Sequence, residues 1–250
     1  VSGLVSMVRA HSDVPICLDT EGAQIRTGRM RDGVIRLNEH QDLHITSEQM
    51  QGDASQFSLY PPYCFSLLEV GDLLTIDFNA AMVQIVSIDD QDARIRVITG
   101  GEIGSNKAVS LHRPVVLEPL TDKDLRAIEI GRSLGIKHYA LSFSNHVDDV
   151  IGFRELVGSD AFIISKIESA RGLANCAEIA RAADGILIDR GDLSREVPIE
   201  RLPLTQKQII KTAKQAGRPV YVATNLLESM VSSPVPTRAE VNDIYNTLLD

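Results

Sequence analysis

The sequence predicts an α/β protein in which a small β domain interrupts a run of βα units. Three observations carry that expectation. From Thr121 onward, short apolar runs alternate with helix-length amphipathic segments, the texture of a parallel sheet built from βα repeats. Between Arg29 and Arg113 the helical segments vanish, and short alternating stretches divided by turn residues replace them. The βα strands end in polar residues, which a parallel architecture gathers at one end of the sheet. The expected organisation is a (β/α)8 TIM-type barrel, incompletely covered, formed by residues 1–28 and 114–250, with a small antiparallel β-barrel domain inserted at 29–113.

The elements follow in order. Residues 1–10 have the pattern of the back half of an amphipathic helix. Residues 14–20 read as a buried strand ending in Asp19 and Thr20, and 21–28 as a loop or extended exit. In the inserted domain, strands are expected at 33–37, 42–46, 73–77, 83–88 and 93–98. Gly71-Asp72, Asp89-Asp90 and Gly100-Gly101 mark turns, and Pro61-Pro62 stops any strand at that point. Thr121 then caps a helix whose first turn carries Asp122 and Asp124 and which Gly135 ends. Strands at 137–143, 161–166, 185–189 and 219–223 alternate with helices at 147–157, 172–183 and 203–216, and a last helical pattern covers 238–250. Five parallel strands are visible where a closed barrel needs eight. The chain starts without Met and its last helical pattern lacks a stop signal, so it reads as an excerpt of a longer protein.

Composition narrows the function classes. A chain of 250 residues with 44% hydrophobic and 24% charged content has room for a large core. The net charge of −9 argues against nucleic acid as the main partner, because phosphate backbones want a basic face. No apolar run reaches the ~20 residues of a membrane span, and no signal segment opens the chain. Cys17, Cys64 and Cys176 are far apart, which indicates neither a zinc knuckle nor a disulfide framework and fits reduced thiols in the cytoplasm. The six histidines show no HExxH-like spacing.

The apolar run from Ala161 ends in Lys166 and Glu168, two residues apart. Side chains alternate along a strand, so a cation and a carboxylate leave this tip on the same face. A surface ion pair is the plainer alternative. Other tips carry Asp19-Thr20, Ser142-Phe143-Ser144, Asp189-Arg190-Gly191-Asp192 and Thr224-Asn225. Glu168 and Asp192 are the best metal ligands, and carboxylates with few companions suit Mg2+ or Mn2+. A helix N-cap is the lesser alternative for Asp192 and need not exclude the metal role, while Thr224 taken alone reads more simply as a strand-end hydroxyl bonded to backbone. Gly191 permits close backbone approach, and free N–H groups after it, with the Thr224 hydroxyl, could hold an anion.

Several motifs are more specific in combination. Leu18-Asp19-Thr20-Glu21-Gly22-Ala23-Gln24-Ile25-Arg26-Thr27-Gly28 resembles the LDTKGPEIRTG segment of the pyruvate kinase family. Ile164-Ser165-Lys166-Ile167-Glu168 resembles its ISKIE, and the stretch from Asp184 to Leu193 its DGIMVARGDL. Ala223-Thr224-Asn225-Leu226-Leu227-Glu228-Ser229-Met230 resembles its ATQMLESM, and Pro236-Thr237-Arg238-Ala239-Glu240 matches its PTRAE. Gly104-Ser105-Asn106-Lys107-Ala108-Val109 is similar to a segment of its inserted domain.

The resemblance implies phosphoryl transfer from phosphoenolpyruvate to ADP, with the inserted domain as a lid. Lys166 would be the catalytic lysine and would also contact substrate, with Gly191, Asp192 and Thr224 around the substrate carboxylate. Glu168 and Asp192 would hold Mg2+ or Mn2+, and Asp19 and Thr20 part of a site for K+. Arg26 and Lys107 would contact the nucleotide. A cytoplasmic homo-oligomer is implied as well. Departures also stand out: Glu21 replaces a lysine, Ala23 a proline, Asn225 a glutamine, and Gln24 a glutamate tied to potassium use. Asp189 replaces a small alanine beside the substrate, where Arg190 could neutralise it or it could point away. Two competing expectations keep the barrel: Mg2+-dependent aldol chemistry on 2-oxo acids, and a non-catalytic ligand-binding homologue.

Overall fold

The chain opens with α1 (Ser2–Arg9), an amphipathic helix that buries Val5, followed by β1 (Cys17–Asp19). The computed structural model describes residues 1–250. They form two units, one of residues 1–23 with 119–250 and one of residues 24–118. The latter contains β2 (Ile25–Thr27), β3 (Val34–Leu37), β4 (Asp42–Thr46), β5 (Gln56–Tyr60), β6 (Leu73–Ile76), β7 (Ala81–Ile88), β8 (Asp92–Thr99), β9 (Gly101–Gly104) and β10 (Ala108–Leu111). The first unit then resumes with α2 (Asp122–Ser133), β11 (His138–Leu141), α3 (Val147–Val157), β12 (Phe162–Ile167), α4 (Ala170–Ala174) and α5 (Cys176–Ala182). It ends with β13 (Gly185–Asp189), α6 (Arg190–Leu193), α7 (Leu202–Gln215), β14 (Val220–Ala223) and α8 (Arg238–Leu249). No helix is long and apolar enough to cross a membrane.

In the first unit, helical crossovers return each strand parallel to the last, giving one five-stranded parallel sheet in the order β1-β11-β12-β13-β14. Tyr139, Ile163, Ile167, Ile186 and Ile188 pack with Phe153, Ile179 and Ile209 from the helices. Full burial of side chains this size stabilises by about 1.5–3 kcal/mol each. The register aligns the strand tips: Asp19 lies opposite Ala140, Leu141 opposite Ser165, Lys166 opposite Leu187, and Asp189 opposite Ala223. Helix α2 starts as its sequence predicts. Thr121 Oγ1 accepts from Asp124 N at 3.2 Å, and Asp124 Oδ2 accepts from Thr121 N at 2.9 Å.

Two expectations for this unit need correction. The strand over 14–20 is confined to Cys17–Asp19, with Leu18 alone buried, because β1 is an edge strand whose neighbour on one side only, β11, fixes it. The helix expected over 172–183 is two helices, α4 and α5, hinged at Asn175, whose side chain donates to Asn145 O at 2.7 Å.

The second unit is a closed barrel in the order β10-β2-β5-β4-β8-β7-β6, with β3 and β9 paired beside it. Residues Leu43, Ile45, Phe57, Leu74, Ile85, Ile95 and Val97 fill its interior, and the alternation of β7 and β8 is the two-residue period of a sheet with one wet face. It is not wholly antiparallel, as the sequence suggested: β4 and β5 pair in parallel. Alternation is the same in both kinds of pair, so the pattern could not separate them. The exit expected at 21–28 contains β2, which pairs with both β5 and β10.

Candidate active site

The tip of β12 carries the predicted pair. Lys166 Nζ lies 3.0 Å from Glu168 Oε1, so the alternation that placed them on one face is borne out by contact. Lys166 is only 9% exposed. Ser142 Oγ accepts from it at 3.0 Å, and Asp19 Oδ2 at 3.3 Å. Burial disfavours its charge, but Glu168 and Asp19 outweigh that and raise its pKa, so Lys166 is a fixed cation.

Glu168 is the most costly group at this tip. It is 1% exposed. Its Oε2 accepts from Phe143 N at 2.7 Å, while Oε1 has the ion pair with Lys166 but no hydrogen bond. Phe143 makes its contact from a left-handed backbone, φ +51°, which a non-glycine residue adopts at a cost of about 1 kcal/mol or more. Burial pushes the Glu168 carboxyl up to about 7, against the pull of Lys166 and the Phe143 N–H.

The tips of β13 and β14 differ from expectation. Asp192 is not the cap of the short helix that follows β13; Asp189 is, with its carboxylate accepting from Gly191 N at 3.1 Å and Asp192 N at 3.4 Å. Thr224 Oγ1 lies 3.2 Å from the same oxygen of Asp189 and accepts from Gly191 N at 2.9 Å, but its shortest acceptor is Ala223 O at 2.6 Å, the strand-end backbone bond that was the plainer expectation. The groups expected to form an open anion cradle are therefore engaged by a carboxylate of the chain itself. Arg190 does not neutralise Asp189: it pairs with Asp243 at 2.7 Å and donates to Thr224 O at 2.8 Å. That contact holds Thr224 at φ +72°, an outlier for a β-branched residue. Asp192 pairs with Arg195 at 3.0 Å.

An oxygen from each of Glu168, Asp189 and Asp192 lies within 4.8 Å of the others. All the donors are carboxylates, and one buried oxygen of Glu168 lacks a hydrogen bond. Hard oxygen ligands with surplus negative charge fit a divalent cation such as Mg2+ or Mn2+.

Asp19 faces Lys166 and accepts from Ser142 Oγ at 3.2 Å, and Thr20 Oγ1 accepts from Ser142 N at 3.0 Å. Within the second unit, Arg26 and Lys107 come together at the pairing of β2 with β10: Thr27 N donates to Lys107 O at 2.7 Å, and Arg26 Nη1 to Asn106 O at 2.9 Å. Lys107 Nζ pairs with Asp77 at 3.0 Å, at a turn whose residues Asp77, Phe78 and Asn79 all have positive φ.

Residues 5–250 match the family described as pyruvate kinase, barrel domain. The chain belongs to the pyruvate kinase family. It is 38% identical over 249 residues to a pyruvate kinase of Geobacillus stearothermophilus, covering 97% of this chain and 42% of that protein. It is 34% identical over 241 residues to one from Thermotoga maritima, covering 95% and 52%. A crystal structure of a pyruvate kinase from Cryptosporidium parvum aligns with a TM-score of 0.78 at 33% identity, over 99% of this chain and 53% of that one. The chain thus spans about half the length of the pyruvate kinases it matches.

Sequence reasoning assigned no role to four residues that contact the predicted groups. Ser142 bridges Asp19 and Lys166, Phe143 supplies its N–H to Glu168, Arg195 holds Asp192, and Asp243 holds Arg190. Ser142 and Phe143 stood at a polar strand tip, which was the available signal. Asp243 lies 53 residues from Arg190 and gave none.

Proposed function

We propose that this chain is the working part of a phosphotransferase that moves the phosphoryl group of phosphoenolpyruvate to ADP, giving pyruvate and ATP in glycolysis. The observation that carries this reading is Lys166, a buried cation held at a strand tip beside Ser142, Asp19 and Glu168. It neutralises charge on the phosphoryl group in transit and on the enolate oxygen left behind, and phosphoryl transfer asks the protein chiefly for positioning and charge stabilisation. Gly191, Asp192 and Thr224 would border the substrate carboxylate once their donors turn from Asp189. Glu168 and Asp192 hold Mg2+ or Mn2+, which when bound polarises the phosphoryl and enolate oxygens. Asp19 and Thr20 contribute to a K+ site.

Arg26 and Lys107, brought together at the pairing of β2 with β10, contact the nucleotide. The five-stranded sheet belongs to an eight-stranded TIM-type barrel. Its all-parallel βα connectivity and the greater length of the matching pyruvate kinases support that closure. The enzyme is a cytoplasmic homo-oligomer.

The test is a coupled assay of pyruvate formation by the full-length protein with phosphoenolpyruvate, ADP and Mg2+. Lys166→Met should lower kcat by about 10²–10³-fold, the scale of losing one well-placed electrostatic contact. A folded wild-type protein that forms no pyruvate ends this reading.

A further inference from the structure

The turn between β6 and β7 holds consecutive non-glycine residues at positive φ: Asp77 at +50°, Phe78 at +52° and Asn79 at +77°. Aspartate and asparagine enter this region far more readily than a bulky side chain does, so Phe78 is the residue the turn has least reason to carry. Neighbouring structure fixes the turn on both sides. Asp77 N donates to Ala108 O at 2.9 Å and Ala80 N to Asp77 O at 3.0 Å. β9 passes so close that a Cβ on Gly101 would lie 1.8 Å from Ala80 O. Phe78 is nonetheless 57% exposed, so packing does not explain the choice of an aromatic ring. Strained positions that their surroundings over-determine cluster at ligand sites.

The groups beside Phe78 are cationic. Ala108 lies opposite Arg26 on one side of β10, and Val109 lies opposite Ile76 on the other. Arg26, Ala108 and Asp77 therefore continue one row across the sheet, with a small side chain in its middle. Lys107 Nζ joins that row through Asp77 at 3.0 Å. Arg26 Nη1 donates to Asn106 O at 2.9 Å, but its buried Nε has no hydrogen-bond acceptor. A buried donor without an acceptor is an independent sign of a group from outside the chain.

We propose that Phe78 is the platform on which the base of a nucleoside diphosphate stacks, while Arg26 and Lys107 take its phosphates. The inference rests on the assignment of Arg26 and Lys107 as nucleotide contacts made above. Such a ligand is anionic at one end and carries a flat π-face at the other, as this row of cations followed by a ring requires. Every base has a π-face, so Phe78 separates nucleotides from inorganic diphosphate rather than one base from another.

The experiment is calorimetric titration of the full-length protein, with Mg2+ present, by ADP and separately by inorganic diphosphate. Phe78→Asn removes the ring and keeps a residue that tolerates the left-handed backbone. It should weaken ADP binding about tenfold or more and leave diphosphate binding unchanged. Phe78→Trp should restore ADP affinity. Phe78→Gly relaxes the same turn and serves if the asparagine variant misfolds. Wild-type ADP affinity in either folded ring-less variant overturns the inference, as does an equal loss for ADP and diphosphate, which would make Phe78 a shaper of the turn alone. Lys107→Ala separates the two claims, since it should weaken both ligands. If it weakens neither, the nucleotide assignment is wrong and the inference falls with it; if it weakens both while Phe78→Asn spares ADP, only the role of Phe78 is wrong.

Discussion

Two glutamates of the first unit sit in opposite environments. Glu240, at the start of α8, accepts from Ser229 Oγ at 2.5 Å, Ser229 N at 2.8 Å, Thr237 N at 2.7 Å and Thr237 Oγ1 at 2.9 Å. Those hydrogen bonds, led by the Ser229 hydroxyl, hold its carboxyl down at about 2. Glu168, past the tip of β12, is buried with one backbone donor, and burial pushes it up to about 7. The same side chain is stabilised as an anion where the fold supplies donors and penalised where it supplies a dry pocket. Glu240 is held by hydrogen-bond donors alone, whereas Glu168 depends on the Lys166 ammonium at 3.0 Å to offset its burial.

The largest test of that contrast is kinetic. Glu168→Gln keeps size and an acceptor but removes the charge, and should lower kcat of pyruvate formation by about 10²–10³-fold. Glu240→Gln should leave kcat near the wild-type value, since its carboxylate is spent on Ser229 and Thr237. A coupled assay on both variants checks this, and equal losses would break the distinction.

A third carboxylate sharpens it. Asp124 is 3% exposed, yet it accepts from Glu21 N at 2.7 Å, Gly22 N at 3.2 Å and Thr121 N at 2.9 Å. It is buried like Glu168 and satisfied like Glu240, so its work is structural: it ties the exit of β1 to the start of α2. Asp124→Ala strands these donors and should cost about 3 kcal/mol in chemical denaturation. A loss below about 1 kcal/mol, the worth of one ordinary hydrogen bond, would show that donors do not decide the role of a buried carboxylate here.

What was legible in the sequence follows the reach of each signal. Lys166 and Glu168 were found because strand alternation is a two-residue rule and both lie within it. Thr121 and Gly135 were found because caps are local. The parallel pairing of β4 with β5 was hidden, since alternation does not carry direction. β2 is three residues long and its pairing partners lie far along the chain, so no periodicity announced it. Asp189 looked like a misfit because its charge is printed in the sequence and its partners are not. Two of them are backbone N–H groups, and the third, Thr224, is 35 residues away.

The smallest expected effect concerns acid stability. The carboxyl of Glu240 is depressed from an ordinary value near 4.5 to about 2, so the folded state prefers the anion more than the unfolded chain does. Its stabilising contribution is complete above about 4.5, the ordinary value. It fades as pH falls through the interval down to about 2, where the folded-state carboxyl also takes up its proton. Glu240→Gln cannot titrate, so its urea midpoint should fall less steeply than the wild type's across that interval. The two should run parallel above it, offset by whatever the amide loses as a single acceptor. Identical slopes in the acid range would mean that the four donors around Glu240 do not hold its carboxylate in solution, and the contrast with Glu168 would then rest on burial alone.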